Sequence, residues 1–410
     1  MNKKTEIISI GNEILSGLTV NTNASWIAQQ LHQIGLDTGW ITAVSDEHQE
    51  IRAALATALR RAGVVICTGG LGPTPDDITK KTICRFFKSR LVLHDETLEH
   101  IRKLFEGRNL AMPATNRQQA MVPDNGRVIS NPYGTAPGLY LEKNGTPFYF
   151  LPGVPFEMKH LIDTRILSEL QSRFNPRPVP SLLFRTTGMA ESRLNELVKP
   201  VLKEFREITT AFLPRSAGVD LRISFPSPDA PRMRRLTERI RGVLGIHIFT
   251  ESEKTLEVIA SELLLVQGRK LGLAESFTGG LIGDLFTDIP GSSAYLQGSA
   301  VTYSNESKSR LLGVKPETIR DHGAVSEATV REMAAGAQIL FDADCAVATT
   351  GIAGPTGATP DKPIGLCYLA AAAGSRLEVR KFIFGKDRRI NKERGAFAAI
   401  ELLRRLLIEQ

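Results

Sequence analysis

Patterned cysteine and long apolar runs are what this 410-residue chain lacks. Its 4 cysteines, Cys67, Cys84, Cys345 and Cys367, show no C-x-x-C spacing, so neither a zinc site nor a disulfide framework is expected. No apolar stretch approaches the roughly 20 residues of a membrane span. The apolar stretch before Gly11 is too short for a signal peptide, so the expected location is the cytoplasm with no membrane partner. Histidine is scarce as well, at 7 residues, and none is suitably placed near a motif; His322 reads as a capping or packing residue.

The remainder describes a globular protein of two or three domains, with 42% hydrophobic and 23% charged residues. A net charge of +7 suits nucleic acid, an anionic surface or phosphorylated metabolites, and charge alone does not choose. The densest basic stretch, Arg232–Arg241, also carries Leu236 and Ile240 and reads as an ordinary solvated helix face. Nucleic acid is therefore not an expected partner.

Glu6–Ile10, Trp40–Val44 and Val64–Cys67 read as strands, with helices over Asn21–Ile34 and Glu47–Arg61 between them. Strands and helices alternating at this interval imply a parallel sheet covered on both faces, with ligands outside the carboxyl ends of the strands. Two polar breaks lie at such ends, G-N-E-I-L-S-G with Asn12 and Glu13, and T-G-G-L-G-P-T-P-D-D. In the second, Gly69, Gly70 and Gly72 permit close approach of an anion, while Asp76 and Asp77 supply hard oxygen ligands. Phosphate with a divalent metal is the chemical inference; the alternative is a tight turn capped by one aspartate. The glycine-proline loops Asn131–Gly138 and Leu151–Met158 could complete the rim.

Those strings resemble the first domain of the CinA family of competence/damage-inducible proteins, a domain similar to the molybdopterin-binding fold. The resemblance implies a metal-dependent ADP-ribose pyrophosphatase (Mg, Mn or Co) over residues 1–169, with Glu13, Asp76 and Asp77 as metal or catalytic groups. It also implies a small α+β, KH-like domain over residues 170–250. There, Leu182–Thr187 and Leu221–Ser224 suit strands, and Ala190–Lys203 and Arg232–Leu244 suit helices. A KH fold binds nucleic acid through a G-x-x-G loop between two helices. The one candidate, Gly242–Gly245, precedes a strand-like segment, so this module reads as structural.

In the last third, Lys270–Ala274 reads as a strand that breaks into E-S-F-T-G-G before a helical pattern, which puts Ser276, Gly279 and Gly280 on a strand-to-helix turn. Such a turn aims backbone N–H groups at one point and favours negative charge there. Cys345–Thr350 is another strand, breaking into G-I-A-G-P-T-G, where Gly351, Gly354 and Gly357 can wrap a phosphate. Hydrolysing a carboxamide requires a nucleophile, a base and oxyanion donors, and Ser276 is a plausible nucleophile. Read alone, Tyr303 is a packing residue and Lys308 a surface charge.

Residues 251–410 resemble the C-terminal CinA domain, an α/β deamidase that also occurs alone as the PncC-type nicotinamide mononucleotide amidohydrolase. The resemblance implies Ser276 as nucleophile, Lys308 as its partner base and Tyr303 as a helper in proton transfer or positioning, without a cofactor. It marks Thr350 as a pocket residue and Arg388 as the partner of the mononucleotide phosphate, with Arg389 a nearby competitor. Phe277 stands where the family usually has cysteine, which touches pocket shape but removes no reacting group. The expected protein is thus a bifunctional enzyme acting on nicotinamide mononucleotide and ADP-ribose, as a homodimer. The alternatives are a non-catalytic competence partner and a molybdopterin-related nucleotide-binding enzyme.

Overall fold

The computed structural model describes residues 4–72 and 78–409, which form two compact units, 1–179 and 180–410. In the first unit, β1 (Thr5–Ile10), β2 (Thr38–Val44) and β3 (Val64–Thr68) are parallel neighbours. A two-stranded ribbon of β4 (Leu91–Leu93) and β5 (Met121–Pro123) follows, then β6 (Arg127–Ile129), β7 (Gly138–Lys143) and β8 (Thr146–Leu151). The main sheet has the order β2-β1-β3-β8-β7-β6.

β1 is buried along its whole length because both faces of the sheet are covered. Ile8 and Ile10 pack with Val65, Cys67, Phe148 and Phe150 on one side; Ile7 packs with Val64, Ile66, Tyr149 and Leu151 on the other. That is the two-residue period of a strand, expressed as two cores. Glu6 is fully buried at the start of β1, where the Arg61 guanidinium takes both its oxygens at 2.8 and 2.6 Å.

The expected parallel sheet holds through β2, β1, β3 and β8, and at the edge β7 runs antiparallel to β8 and β6 antiparallel to β7. The Asn144-Gly145 turn, at φ 52° and 78°, closes β7 and β8 into a tight hairpin. The helix Leu167–Phe174 spans the expected boundary at 169 and buries Leu170 in the first unit's core.

The second unit opens with an antiparallel sheet of β9 (Ser181–Thr187), β10 (Thr209–Arg215), β11 (Gly218–Ser224) and β12 (Ile248–Thr250), in the order β10-β11-β9-β12. Gly242 and Gly245 lie at the end of the helix Ala230–Leu244, not between two helices. The last sheet has the order β14-β13-β15-β16-β17: β13 (Leu271–Glu275), β14 (Leu296–Val301), β15 (Cys345–Gly351), β16 (Leu366–Ala373) and β17 (Arg376–Ile383). The helix Arg388–Ile408 covers one face. On the other, Ala346, Ala348, Ala370 and Ala372 leave room for the helix Glu327–Phe341 to approach closely. No helix among the described residues is long and apolar enough to cross a membrane.

The helix Glu327–Phe341 makes a second close approach at Gly336, where a Cβ would overlap the carbonyl oxygen of Leu312 at the end of the helix Asn305–Leu312. Glycine to alanine inside a helix ordinarily gains about 1 kcal/mol. Here we expect Gly336→Ala to lose about 1–3 kcal/mol by overpacking, measured by urea unfolding of the full chain.

Candidate active site

The second unit gathers its polar side chains at the carboxyl ends of β13, β14 and β15. Ser276 follows β13 directly, is 7% exposed, and is held by a backbone turn in which Gly279 N–H donates to the Ser276 carbonyl at 3.1 Å. Its own N–H donates to Thr349 Oγ1 at 3.4 Å, and that hydroxyl also meets Thr278 Oγ1 at 2.8 Å. Lys308 lies on the helix Asn305–Leu312, which Ser304 caps by accepting from Ser307 N–H. Its side chain turns inward and is 1% exposed.

Lys308 Nζ stands 3.2 Å from Ser276 Oγ, 2.8 Å from the Thr302 carbonyl and 3.4 Å from the Tyr303 carbonyl. Among the described residues no carboxylate pairs with it, and burial pushes its pKa below the ordinary 10.5. The lysine that reads as a surface charge in the sequence is therefore a buried amine with three oxygen neighbours. Of the two parts expected for Tyr303, proton transfer or positioning, the geometry bears on the second: the side chain is exposed, its hydroxyl accepts from Arg388 Nη2 at 2.9 Å, and its carbonyl reaches Lys308.

The expected anion site at the helix N-terminus is already filled by the chain itself. Glu275, fully buried, accepts from the N–H groups of Gly280 at 3.0 Å, Ile282 at 3.1 Å and Gly283 at 2.8 Å, and from Ser299 Oγ at 3.1 Å. The Gly280 N–H is thus unavailable to a substrate. Gly279 does face the cleft, since a Cβ there would come 3.2 Å from Lys392 Nζ.

Thr350 is corrected in the same way. Its hydroxyl donates to the Ala324 carbonyl at 2.7 Å, whereas its neighbour Thr349, on the opposite face of β15, reaches the serine turn. Gly351 is needed for packing, because a Cβ would come 2.6 Å from Cys367 Cβ. Gly354, at φ 88°, offers its carbonyl to Arg388 Nη1 at 2.8 Å. The loop therefore holds an arginine through a carbonyl, beside the glycines whose N–H groups the sequence offers to a phosphate. Phe277 lies in the core against Gly395, where any Cβ would overlap its ring, so the departure from cysteine is absorbed by a glycine in the C-terminal helix.

Arg388, Arg389 and Lys392 line a cleft of about 860 Å³ with Thr278, Gly279 and Asp284. Lys392 went unnoticed in the sequence, although its spacing of four from Arg388 places both on one helix face. Asn391 was also missed; its Nδ2 ties the Ala353 and Gly385 carbonyls together, each at 2.9 Å.

In the first unit, Asn12 and Glu13 are exposed on the short helix Asn12–Leu15 at the end of β1. Asn12 N–H donates to Asp46 Oδ2 at 3.1 Å. Gly69 and Gly70 have φ of 101° and 68°, and side chains there would overlap the Ile10 carbonyl and Thr79 Oγ1; Gly72 is exposed. Asp76 and Asp77 lie outside the described residues. Among the described residues no group of three His, Cys, Asp or Glu side chains could hold a metal ion. A cavity of about 120 Å³ brings Glu13, Asn23, Thr68, Gly69 and Gly153 together. Asn23 donates to the Thr68 hydroxyl and the Gly153 carbonyl, but its buried Oδ1, like nearby Thr79 Oγ1, has no partner among the described residues. Orphaned buried polar atoms beside an exposed carboxylate fit a site for a polar group.

The chain matches three families: the probable molybdopterin binding domain over residues 6–172, the damage-inducible protein CinA KH domain over 181–250, and the CinA C-terminal domain over 253–407. It is 38% identical over 407 residues to a putative competence-damage inducible protein of Caldicellulosiruptor saccharolyticus, covering 98% of this chain and 99% of the other. It is 41% identical over 415 residues to a CinA-like protein of Chloroherpeton thalassium, at 98% and 99% coverage. A crystal structure of CinA from Thermoplasma acidophilum covers 40% of this chain and 97% of its own, at 36% identity and a TM-score of 0.38.

The burial of Lys308 generates a pH test. Its folded pKa lies below the unfolded 10.5, so between the two values the unfolded chain binds more protons and stability rises with pH. Comparing wild type with Lys308→Met by urea unfolding, we expect the difference to shift in favour of wild type between about pH 7 and about pH 10. A flat difference would show that burial does not disfavour the ammonium.

Proposed function

Because the chain belongs to the CinA family, we propose that its C-terminal domain hydrolyses the carboxamide of nicotinamide mononucleotide to nicotinate mononucleotide and ammonia. The observation that carries this reading is the 3.2 Å approach of a buried Lys308 amine, unpaired with any carboxylate among the described residues, to Ser276 Oγ. A neutral amine has two hydrogens and one lone pair. The Thr302 and Tyr303 carbonyls accept the hydrogens, which leaves the lone pair for the serine proton.

Ser276 Oγ then attacks the carboxamide carbon as Lys308 takes its proton, and the same proton passes to the departing ammonia. Water, deprotonated by Lys308 in turn, attacks the acyl carbon, and as the acyl–Oγ bond breaks the lysine returns that proton to Ser276 Oγ, releasing the carboxylic acid, which ionises to the carboxylate. The N–H groups of Phe277 and Thr278, on the same turn and without partners among the described residues, are the oxyanion donors in this reading. Arg388, held at 2.8 Å by the Gly354 carbonyl and at 2.9 Å by the Tyr303 hydroxyl, and Lys392 beside Gly279 would pair with the mononucleotide phosphate. Tyr303 in this scheme positions Arg388.

For the first domain we propose ADP-ribose pyrophosphatase activity. Glu13, with Asp76 and Asp77, would hold a divalent cation, whose charge would stabilise the phosphate leaving group. Asn23 and the backbone around Gly69 and Gly153 would position the pyrophosphate beside it.

The test is ammonia release from nicotinamide mononucleotide by the intact protein. Ser276→Ala should abolish it while leaving ADP-ribose cleavage within about twofold, since the two sites belong to separate compact units. Lys308→Arg keeps the charge but cannot act as a base near neutral pH, so it should retain less than about a tenth of the rate. A chelator should stop ADP-ribose cleavage and spare ammonia release; deamidation that falls with the metal and returns with it would overturn the serine-lysine mechanism.

A further inference from the structure

The middle and C-terminal domains share one compact unit and line a cavity of about 660 Å³, distinct in its lining residues from the Thr278–Lys392 cleft. One wall is aromatic. Phe382 and Phe384, two residues apart at the end of the edge strand β17, stack with ring centroids 5.4 Å apart and planes at 12°. Phe397 of the helix Arg388–Ile408 lies beside them. The β10–β11 turn also lines the cavity, tied to the C-terminal helix by Ser216 Oγ donating to Glu393 Oε2 at 3.2 Å.

The charge around this cavity does not balance. Buried Asp220 is shared between Arg185 at 3.1 Å and Arg215 at 3.3 Å. Buried Glu401 is likewise shared between Arg404 and Arg405, each at 2.7 Å. Arg380 pairs with Glu378 at 3.2 Å, and Glu191 stands at the mouth. Arg394, exposed on the lining, has no ion pair or hydrogen bond among the described residues. Of the charged side chains on the lining itself, four are guanidiniums, Arg215, Arg380, Arg394 and Arg405, against two carboxylates, Glu191 and Glu401, and Arg394 is the unengaged one among the described residues.

We propose that this cavity binds an aromatic anion of nucleotide size, its ring against the Phe382–Phe384 pair and its phosphate on Arg394 and Arg215. The volume is in the range of small-molecule sites. Flat phenyl faces take a planar base by stacking, and a guanidinium takes phosphate oxygens in a fork. The site does not depend on the proposed reaction at Ser276, because it shares no lining residue with the cleft formed by Arg388, Arg389 and Lys392 on an earlier part of the helix.

Photolabelling of the full chain with 8-azido-ADP, with the modified residues located by fragment mass spectrometry, tests this directly. We expect label at Arg380–Phe384 or Arg394–Leu402, displaced by unlabelled ADP. Ala398→Trp, which fills the cavity, and Arg394→Glu, which reverses the unengaged charge, should each lower that label at least about tenfold without lowering the melting temperature. Label confined to residues 1–179 or to the Thr278–Lys392 cleft, no label, or label unchanged in Arg394→Glu would overturn the proposal. So would a change in sedimentation coefficient in Ala398→Trp, which would assign the cavity to contact with a second copy. Arg394→Glu, an exposed substitution, decides the matter if the tryptophan variant does not fold.

Discussion

A single buried carboxylate holds the serine turn in place. Glu275 ends β13, yet its side chain reaches forward to satisfy three N–H groups of the following turn and helix, and takes Ser299 from β14 as well. The first N–H groups of a helix have no partner within it, and a buried helix start without a cap is costly. Closing this one from the preceding strand ties β13, β14 and the helix Leu281–Thr287 into one rigid corner. Ser276 sits between the anchor and the helix that it anchors. Its position is thus a consequence of how the turn is satisfied, with Thr349 fixing the serine N–H from the neighbouring strand.

The second constraint is the lysine. An ammonium taken out of water with only neutral oxygens around it is disfavoured, and the fold tolerates this because the helix Asn305–Leu312 starts at the end of β14 and points Lys308 inward. The same burial that disfavours the ammonium favours the neutral amine, 3.2 Å from Ser276 Oγ, so a stability cost and the chemistry proposed for this pair have one physical origin. Around this pair, small residues do the spatial work: Gly395 receives Phe277, and the alanines of β15 and β16 let the helix Glu327–Phe341 come close.

The helix Arg388–Ile408 links the two features of the second unit. Its first turns present Arg388 and Lys392 to the cleft beside Ser276, and later turns present Arg394 and Phe397 to the aromatic cavity. The middle domain, whose G-x-x-G sequence ends a helix instead of joining two, supplies the β10–β11 turn that also lines that cavity.

The sequence by itself determined the alternating strands and helices, the carboxyl-end location of the polar loops, the family and its three-domain architecture, because apolar periodicity and long motif strings are local properties. It also pointed to Ser276, since a serine between a strand and a glycine pair is visible in the chain order. Only the tertiary structure decided that Lys308 is buried against that serine, 32 residues away in sequence. It alone decided that Glu275 fills the helix N-terminus, that Thr349 and not Thr350 faces the turn, and that Tyr303 holds Arg388. Burial and side-chain direction arise from contacts between distant segments, and no spacing rule carries them. The antiparallel edge of the first sheet turns on Asn144-Gly145, a tight hairpin signal visible in the sequence. The glycines at 69, 70, 351 and 354 show the same limit: in sequence a glycine signals close approach, and only the fold tells what approaches, which at Gly351 is the neighbouring strand and at Gly69 the end of β1.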